Sequence, residues 1–467
     1  MKYGVTITEG VKPWQIFQQE QGCADIAIKG EYRICHVSGE LPLVYEELQD
    51  RKVSIKARIA DEASGESVVN WQNCRVHEDS SWQITFKNVP AGGLYRIETY
   101  MDYEGWDGLS VTRGDMVHHI GIGDIFVIAG QSNAAGRSKN TVYDSPEPGV
   151  HLLRNSGCWD LASHPLNETT NAIYTGHFEN HNPGHSPYLH FAKQLKKELG
   201  YPIGLVNCAY GGSPLRWWRP EENGTLFDNM MGMLKENNIS PRGILWYQGE
   251  ADAFEKSAET YLERFGGFVG HMRDALGGRQ LPVFTVQLNK CTMASDDELD
   301  RQWGMLREAQ RRAANEIPFV YVVPSADLAV YDFIHNSSES NLVIGERSAR
   351  AVLSVLYSRN YNWKAPEAAS AKKIEADAVS VEFEGILNWI NTFEMIPRLL
   401  PLNVEDERGL LCAKEYKIEA SRITVILERE IEGEAVLHGA WRMNPGQCIP
   451  CDCMRLPMLS FYGLKIK

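Results

Sequence analysis

Four apolar runs in this sequence end in polar residues, and those ends hold the residue types that acyl transfer requires. DIFVIA leads to Gly130, Gln131, Ser132 and Asn133, and PIGLVNCAY leads to Gly211, Gly212 and Ser213. GILW leads to Tyr247, Gln248, Gly249, Glu250 and Asp252, and LPVFTV leads to Gln287 and Asn289. Open parallel sheets bind ligands beyond the carboxyl ends of their strands, so these are the residues to inspect. Ser132 stands where a buried run turns into the next segment, a place that exposes a hydroxyl to substrate as a nucleophile. A Ser beside Asn and Gly also suits an ordinary cap or turn, so catalysis needs a base as well. His335 supplies it. Asp332, three residues earlier, can accept a hydrogen bond from Nδ1 and leave Nε2 free for the Ser132 proton, in the chain order Ser, Asp, His. Donors for an oxyanion are the N–H groups of Ser132 and Gly212 and the side-chain amide of Gln248. Glu250 and Asp252 end a neighbouring strand and compete with Asp332 for the orienting role.

Arg216, Trp217 and Trp218 follow directly on the Gly-Gly turn, and flat aromatic rings with a few polar groups suit a sugar. Arg137 and Arg216 are placed to grip a sugar carboxylate in two-pronged fashion, or to form structural salt bridges. Gln131 and Glu250 complete the candidate substrate-binding set. The two Trp residues also have a packing alternative beneath the loop.

These residues need strands to carry them. Residues 1–120 alternate short apolar runs with turn residues, as in VSIKARIA and SWQITFKNVPAGGLYRIETYM, the period-two mark of half-buried antiparallel strands. A β-sandwich is predicted there. Over 121–362 apolar runs alternate with amphipathic segments such as SPYLHFAKQLKKELG and WGMLREAQRRAANEI. That alternation predicts βαβ units and a three-layer α/β domain with a parallel sheet. Over 363–467 a polar stretch, NWKAPEAASAKK, reads as a linker, and AVSVEFEG, YKIEASRITVILER and EAVLHGAW then predict a second β-domain.

The bulk properties narrow the function. A formal net charge of -14 without a long basic run excludes a nucleic-acid surface. No apolar stretch reaches the length of a membrane span, and the start lacks the pattern of a signal peptide, so a cytoplasmic protein without membrane partners is expected. Ten cysteines without small-domain spacing read as reduced thiols. Cys448, Cys451 and Cys453 lack a fourth ligand, so a structural turn is expected there and no metal. The sequence leaves the oligomeric state open, a homodimer being compatible with it.

GDIFVIAGQSNAAGRS, HSPYLHFAKQL, AYGGSPLRWW, WYQGEAD, LREAQ and the Asp332-to-His335 pair, in this order, closely resemble the sialate O-acetylesterase family of SGNH/GDSL-type hydrolases. The resemblance is strongest from about residue 120 to 350. It implies a flavodoxin-like three-layer catalytic domain flanked by N-terminal and C-terminal β-domains. It implies Ser132 as nucleophile, Asp332 and His335 as the rest of the triad, and Gly212 and Gln248 as oxyanion donors, Gln248 standing where the wider superfamily uses Asn. Family members commonly carry Pro and then Lys after the His, whereas here the run is Asn336, Ser337, Ser338, Glu339. The implied substrate is an O-acetylated mono- or oligosaccharide, first of all sialic acid, with acetylated xylan or mannan oligosaccharides as the alternative and no cofactor. A lipase or thioesterase would favour an apolar acyl groove instead of these polar strand ends. A non-catalytic carbohydrate-binding protein on the same fold would be expected to have lost Ser132, His335 or an oxyanion residue.

Overall fold

The structure, a computed structural model, describes all residues except 1–2, 39–43, 48–50, 106–107, 175, 177, 180–182, 279, 393–399 and 447. Alternation works as predicted near the N-terminus. Ile26, Ile28, Trp82, Ile84 and Phe86 turn to one face of the strands Cys23–Arg33 and Ser81–Pro90 and are buried. They meet Ile55, Ile97, Met101 and Ile120 of a second sheet in one apolar core, a sandwich-like arrangement.

One strand of that second sheet does not stop. Gly108–Gly130, here β1, is 23 residues long. Up to Ile122 it pairs antiparallel with Gly92–Gly105, and from Asp124 onward it pairs parallel with two other strands. The boundary predicted at 120/121 therefore falls inside a continuous strand. The parallel part continues with β2 (Val150–Leu153), β3 (Ile203–Asn207), β4 (Gly243–Tyr247), β5 (Val283–Val286) and β6 (Val320–Val323). Their spatial order is β2-β3-β1-β4-β5-β6, with Trp159–Leu161 antiparallel at the β2 edge, so the whole sheet is mixed.

The helices are α1 (Ser132–Ala135), α2 (Tyr188–Leu199), α3 (Thr225–Glu236), α4 (Glu250–Phe254), α5 (Tyr261–Ala275), α6 (Asp297–Glu316) and α7 (Ser338–Tyr357). In α2 the buried residues Tyr188, Phe191, Ala192 and Leu195 recur at helical spacing and form one inward stripe. The α7 helix starts at Ser338 because the Ser337 hydroxyl caps it, accepting from the Ser340 N–H at 3.2 Å. The sheet and helices share one large core built on Val127, Ile128, Leu205, Ile244 and Phe284.

The C-terminal region holds two four-stranded sheets over a separate core that includes Val379, Val381, Leu402, Val404, Val425 and Leu437. The predicted linker is corrected here. Glu367–Glu375 is a strand paired with Ala378–Glu384, and its small Ala368 and Ala371 side chains are buried against the core. Glu367 also accepts from Asn315 at 2.9 Å and pairs with Arg311, tying this strand to α6. Within the Cys448–Cys453 segment, Cys451 forms β-bridges with Asn391 and Pro457, and a turn follows at Cys453 and Met454, with buried Asp452 Oδ1 accepting the N–H groups of Met454 and Leu456, both at 2.9 Å. All ten cysteines are free thiols.

Two buried charges join the regions. Arg307, fully buried on α6, donates to the carbonyls of Leu288 and Asn289 at the end of β5, both at 2.9 Å. It also donates to Ala440 at 3.0 Å and Arg442 at 2.6 Å in the C-terminal region, and burial lowers its pKa to about 9. Asp124, at the point where β1 changes partners, accepts from Gln18 at 2.7 Å, Tyr201 at 2.7 Å and Tyr357 at 2.6 Å. Replacing Asp124 by Ala strands these half-buried donors together with the buried Gln19 amide, which donates to the same carboxylate at 3.1 Å. The expected loss is about 3–5 kcal/mol, read as a clear fall in the midpoint of thermal or urea unfolding; a midpoint matching wild type would show that the carboxylate is not what joins the segments.

Candidate active site

The strand ends meet as the sequence suggests. Gly130 has φ of +120°, and a Cβ there would lie 2.2 Å from the Tyr247 carbonyl oxygen. Only Gly lets β1 end so close to β4. The chain then turns, Gln131 N–H donating to that carbonyl at 2.9 Å, and Ser132 opens α1. Gln131 is buried, and its side-chain oxygen accepts the N–H groups of Gly249 at 3.2 Å and Ala251 at 3.3 Å. The Gln131–Ser132 turn is thus fastened to the start of α4.

His335 comes from the loop between β6 and α7. Asp332 Oδ2 lies 2.7 Å from His335 Nδ1, while Oδ1 accepts the N–H groups of His335 at 2.7 Å and Ile334 at 2.8 Å. One carboxylate therefore fixes both the loop and the ring. In the tautomer that donates from Nδ1 to this carboxylate, Nε2 is the nitrogen that can accept. Partial burial works against ionisation of Asp332, yet the His335 N–H, its ring and the Ile334 N–H together hold the carboxyl below its ordinary range.

Ser132, Asp332 and His335 line one open cavity of about 740 Å³, with Gln131, Arg137, Lys139, Gly211, Gly212, Glu250, Phe254 and Tyr331. No hydrogen bond joins Ser132 Oγ to His335 among the described residues, and free enzymes commonly hold such pairs loosely until substrate binds. The Ser132 and Gly212 N–H groups have no protein acceptor among the described residues. Gly212 has φ of +67°, left-handed backbone that favours Gly.

Several sequence candidates are placed elsewhere. Gln248 is buried off the cavity and both amide hydrogens are used, on Ser213 O at 3.1 Å and Asp252 Oδ2 at 2.6 Å. It has no hydrogen left for an oxyanion. Asp252 is saturated as well, accepting from Leu215 N at 2.8 Å, Ser257 Oγ at 3.0 Å and Arg264 at 3.2 Å, so it cannot reach His335. Trp218 is fully buried, donates to Ser213 Oγ at 3.1 Å and packs edge-on against Trp246. Trp217 is half-buried against Tyr210, and Arg216 pairs with Glu255. Arg137 lines the cavity but pairs with buried Glu179, which also accepts Gly211 N–H at 3.0 Å. The Arg137 pair is buried, whereas the Arg216–Glu255 pair is exposed. Lys139 is the exposed cation of the cavity wall that no ion pair engages among the described residues.

Two residues named in the sequence without a role bear on the site. Asn133 and Asn336 are buried, and Asn336 N–H donates to Asn133 Oδ1 at 3.0 Å. A Pro at position 336 would have no N–H to donate here, and the Asn in the run after His335 was the available signal.

The one group of His, Cys and acidic side chains placed to hold a metal among the described residues is Asp144, His164 and His185, away from the cavity. Ser186 N–H points at His164 Nδ1 at 3.4 Å, which puts the ring proton on Nε2, facing Asp144 at 2.9 Å. Lys193 Nζ lies 3.0 Å from the same carboxylate. Protonated nitrogen and ammonium make this a hydrogen-bonded cluster and a poor fit to a cation.

Glu250 carries the large shift in the site. Burial outweighs the hydrogen bond from Asn133, its own N–H and the Arg307 charge, and the carboxyl is pushed up to about 7. A group whose folded pKa lies above its unfolded value near 4.5 stabilises most at low pH and loses that contribution as pH rises through about 7. Glu250→Gln removes the titration. Between pH 5 and pH 8 the stability of wild type should therefore fall by about 3 kcal/mol relative to the variant. Unfolding midpoints at the two pH values check it, and a constant difference between the proteins would refute the assignment.

Residues 122–354 match the family model described as carbohydrate esterase, sialic acid-specific acetylesterase. A probable carbohydrate esterase of Arabidopsis thaliana is 29% identical over 275 residues, 53% of this chain and 98% of that protein. The sialate O-acetylesterase of Homo sapiens is 24% identical over 223 residues, 38% of this chain and 39% of that protein. The crystal structure of a carbohydrate acetylesterase from Xanthomonas citri superposes with a TM-score of 0.64 at 18% identity, covering 98% of this chain and 99% of that one, a likeness of fold. Through residues 122–354 this chain belongs to the sialic acid-specific acetylesterase family of carbohydrate esterases.

Proposed function

We propose that the protein removes acetyl groups from O-acetylated sugars through a Ser132 acyl-enzyme. The observation that carries this is the single cavity wall shared by Ser132, the Asp332-oriented His335 and two unpaired N–H groups. Ser132 Oγ attacks the acetyl carbonyl carbon while His335 Nε2 takes its proton. The N–H groups of Ser132 and Gly212 face the oxygen that becomes negative. His335 returns the proton to the departing sugar oxygen, and water then cleaves the acetyl-Ser by the same steps. Residues 121–362 are taken as the SGNH-type three-layer catalytic unit, with 1–120 and 363–467 as β-units fixed to it.

Ser132→Ala should lower kcat by several orders of magnitude in a protein that still folds. Asp332→Asn should cost up to about ten-thousandfold, the loss found when the orienting acid of a serine protease becomes its amide. Asp252→Asn and Glu250→Gln should cost far less. A nearly dead Glu250→Gln beside an active Asp332→Asn would move the third triad member to α4.

Acetylated sialic acid is the substrate we favour, because Lys139 is left to meet a carboxylate and Phe254 and Tyr331 offer flat rings at the rim. Acetate release from acetylated sialic acid and from acetylated xylo- and manno-oligosaccharides compares the classes. Lys139→Ala should raise KM for the acidic sugar by about tenfold, the loss of one charge-assisted hydrogen bond, and should affect neutral sugars less. An equal effect on both removes the case for an acidic substrate.

A further inference from the structure

Glu250 is 2% exposed, yet it is poorly served. Its Oε1 accepts from Asn133 Nδ2 at 2.7 Å, while Oε2 is buried without any hydrogen-bond partner. An isolated buried carboxyl of this kind costs stability, and its retention beside a reaction cavity calls for a functional reason. Asn133 shows where the effect goes. Its Nδ2 also donates to the carbonyl of Ile334 at 3.3 Å, and its Oδ1 accepts the N–H of Asn336 at 3.0 Å. One carboxamide thus holds the peptide groups on both sides of His335, and it belongs to the residue next to Ser132. An amide can present either end. With Oε1 as its acceptor, and the proton of the neutral carboxyl on Oε2, Glu250 holds Nδ2 toward itself and so turns Oδ1 toward Asn336.

We infer that Glu250 and Asn133 form a brace that sets His335 relative to Ser132, making Glu250 a positioning residue of the base loop. This rests on the hydrolase reading above. Burial, which keeps the carboxyl uncharged below about pH 7, suits a strut that needs an acceptor and no net charge. A Gln in its place still offers Oε1 to Asn133, whereas Ala offers nothing.

The test uses p-nitrophenyl acetate and the full chain, with folding followed by circular dichroism. Glu250→Ala should lower kcat by about tenfold or more and leave KM within about threefold, because orientation and not binding is lost. Glu250→Gln should return kcat to within about threefold of wild type. Asn133→Ala should resemble Glu250→Ala, and the double variant should be no worse than the poorer single one, as expected for two parts of one device. If Glu250→Ala does not fold, the conservative Glu250→Gln still decides: a folded variant down by a hundredfold overturns the brace. Wild-type kcat in folded Glu250→Ala, a loss confined to KM, or multiplying losses in the double variant overturn it too. Ser132→Ala run alongside separates the two readings, since turnover there would sink the hydrolase itself and not only the brace.

Discussion

Strand β1 is the constraint on which the rest of the molecule hangs. It leaves one sheet as an antiparallel partner and enters another as a parallel one, so its direction is fixed by hydrogen bonds on both sides. A strand flanked by β3 and β4 cannot shift register without exposing its buried side chains and breaking two ladders at once. Its last residue, Gly130, touches the backbone of β4. The position of Ser132 is therefore a consequence of sheet register, and the loops around it adapt to that point.

The polar groups around this point fall into those already satisfied and those still open. Gln248, Asp252, Arg137 and Glu179 have partners for their hydrogens and lone pairs, and they hold the Gly211–Gly212 turn and the start of α4 in place. Among the described residues the open groups are few: the Ser132 and Gly212 N–H groups, the Ser132 hydroxyl, His335 Nε2, exposed Lys139 and the buried Glu250 Oε2. A buried polar group without a partner is costly, so most of a polar cluster must serve as scaffold. The remainder is what the cavity can offer a substrate.

That division explains what the sequence revealed. The Asp332–His335 pair is local, three residues apart, and its geometry follows from spacing alone. The strands that end in GQSN, GGS and QGE were legible from apolar runs bounded by turn residues, and α2, α5 and α6 from helical periodicity. The partners of Arg137 and Gln248 were not legible, since Glu179 lies 42 residues from Arg137 and the use of an amide depends on which groups the fold brings beside it. Trp218 follows a Gly-Gly turn as a ligand-stacking residue might be imagined to do, but its neighbours Trp246 and Phe268 come from distant elements and bury it. NWKAPEAASAKK has the composition of a linker. Its alanines nevertheless suit a strand pressed against another surface, which composition does not disclose.

Arg307 gives the fold an order in time. Its carbonyl acceptors at Ala440 and Arg442 lie 133 and 135 residues downstream. At about 5–20 residues per second of synthesis, the guanidinium precedes those carbonyls by roughly ten seconds. During that interval a permanently charged group on α6 has the β5 end but not its other acceptors, and water must stand in for them. The strand ends beside it can close into a dry, fixed surface only when the C-terminal sheets arrive. A region synthesised later thereby completes the support beneath a cavity whose own lining residues were all made earlier.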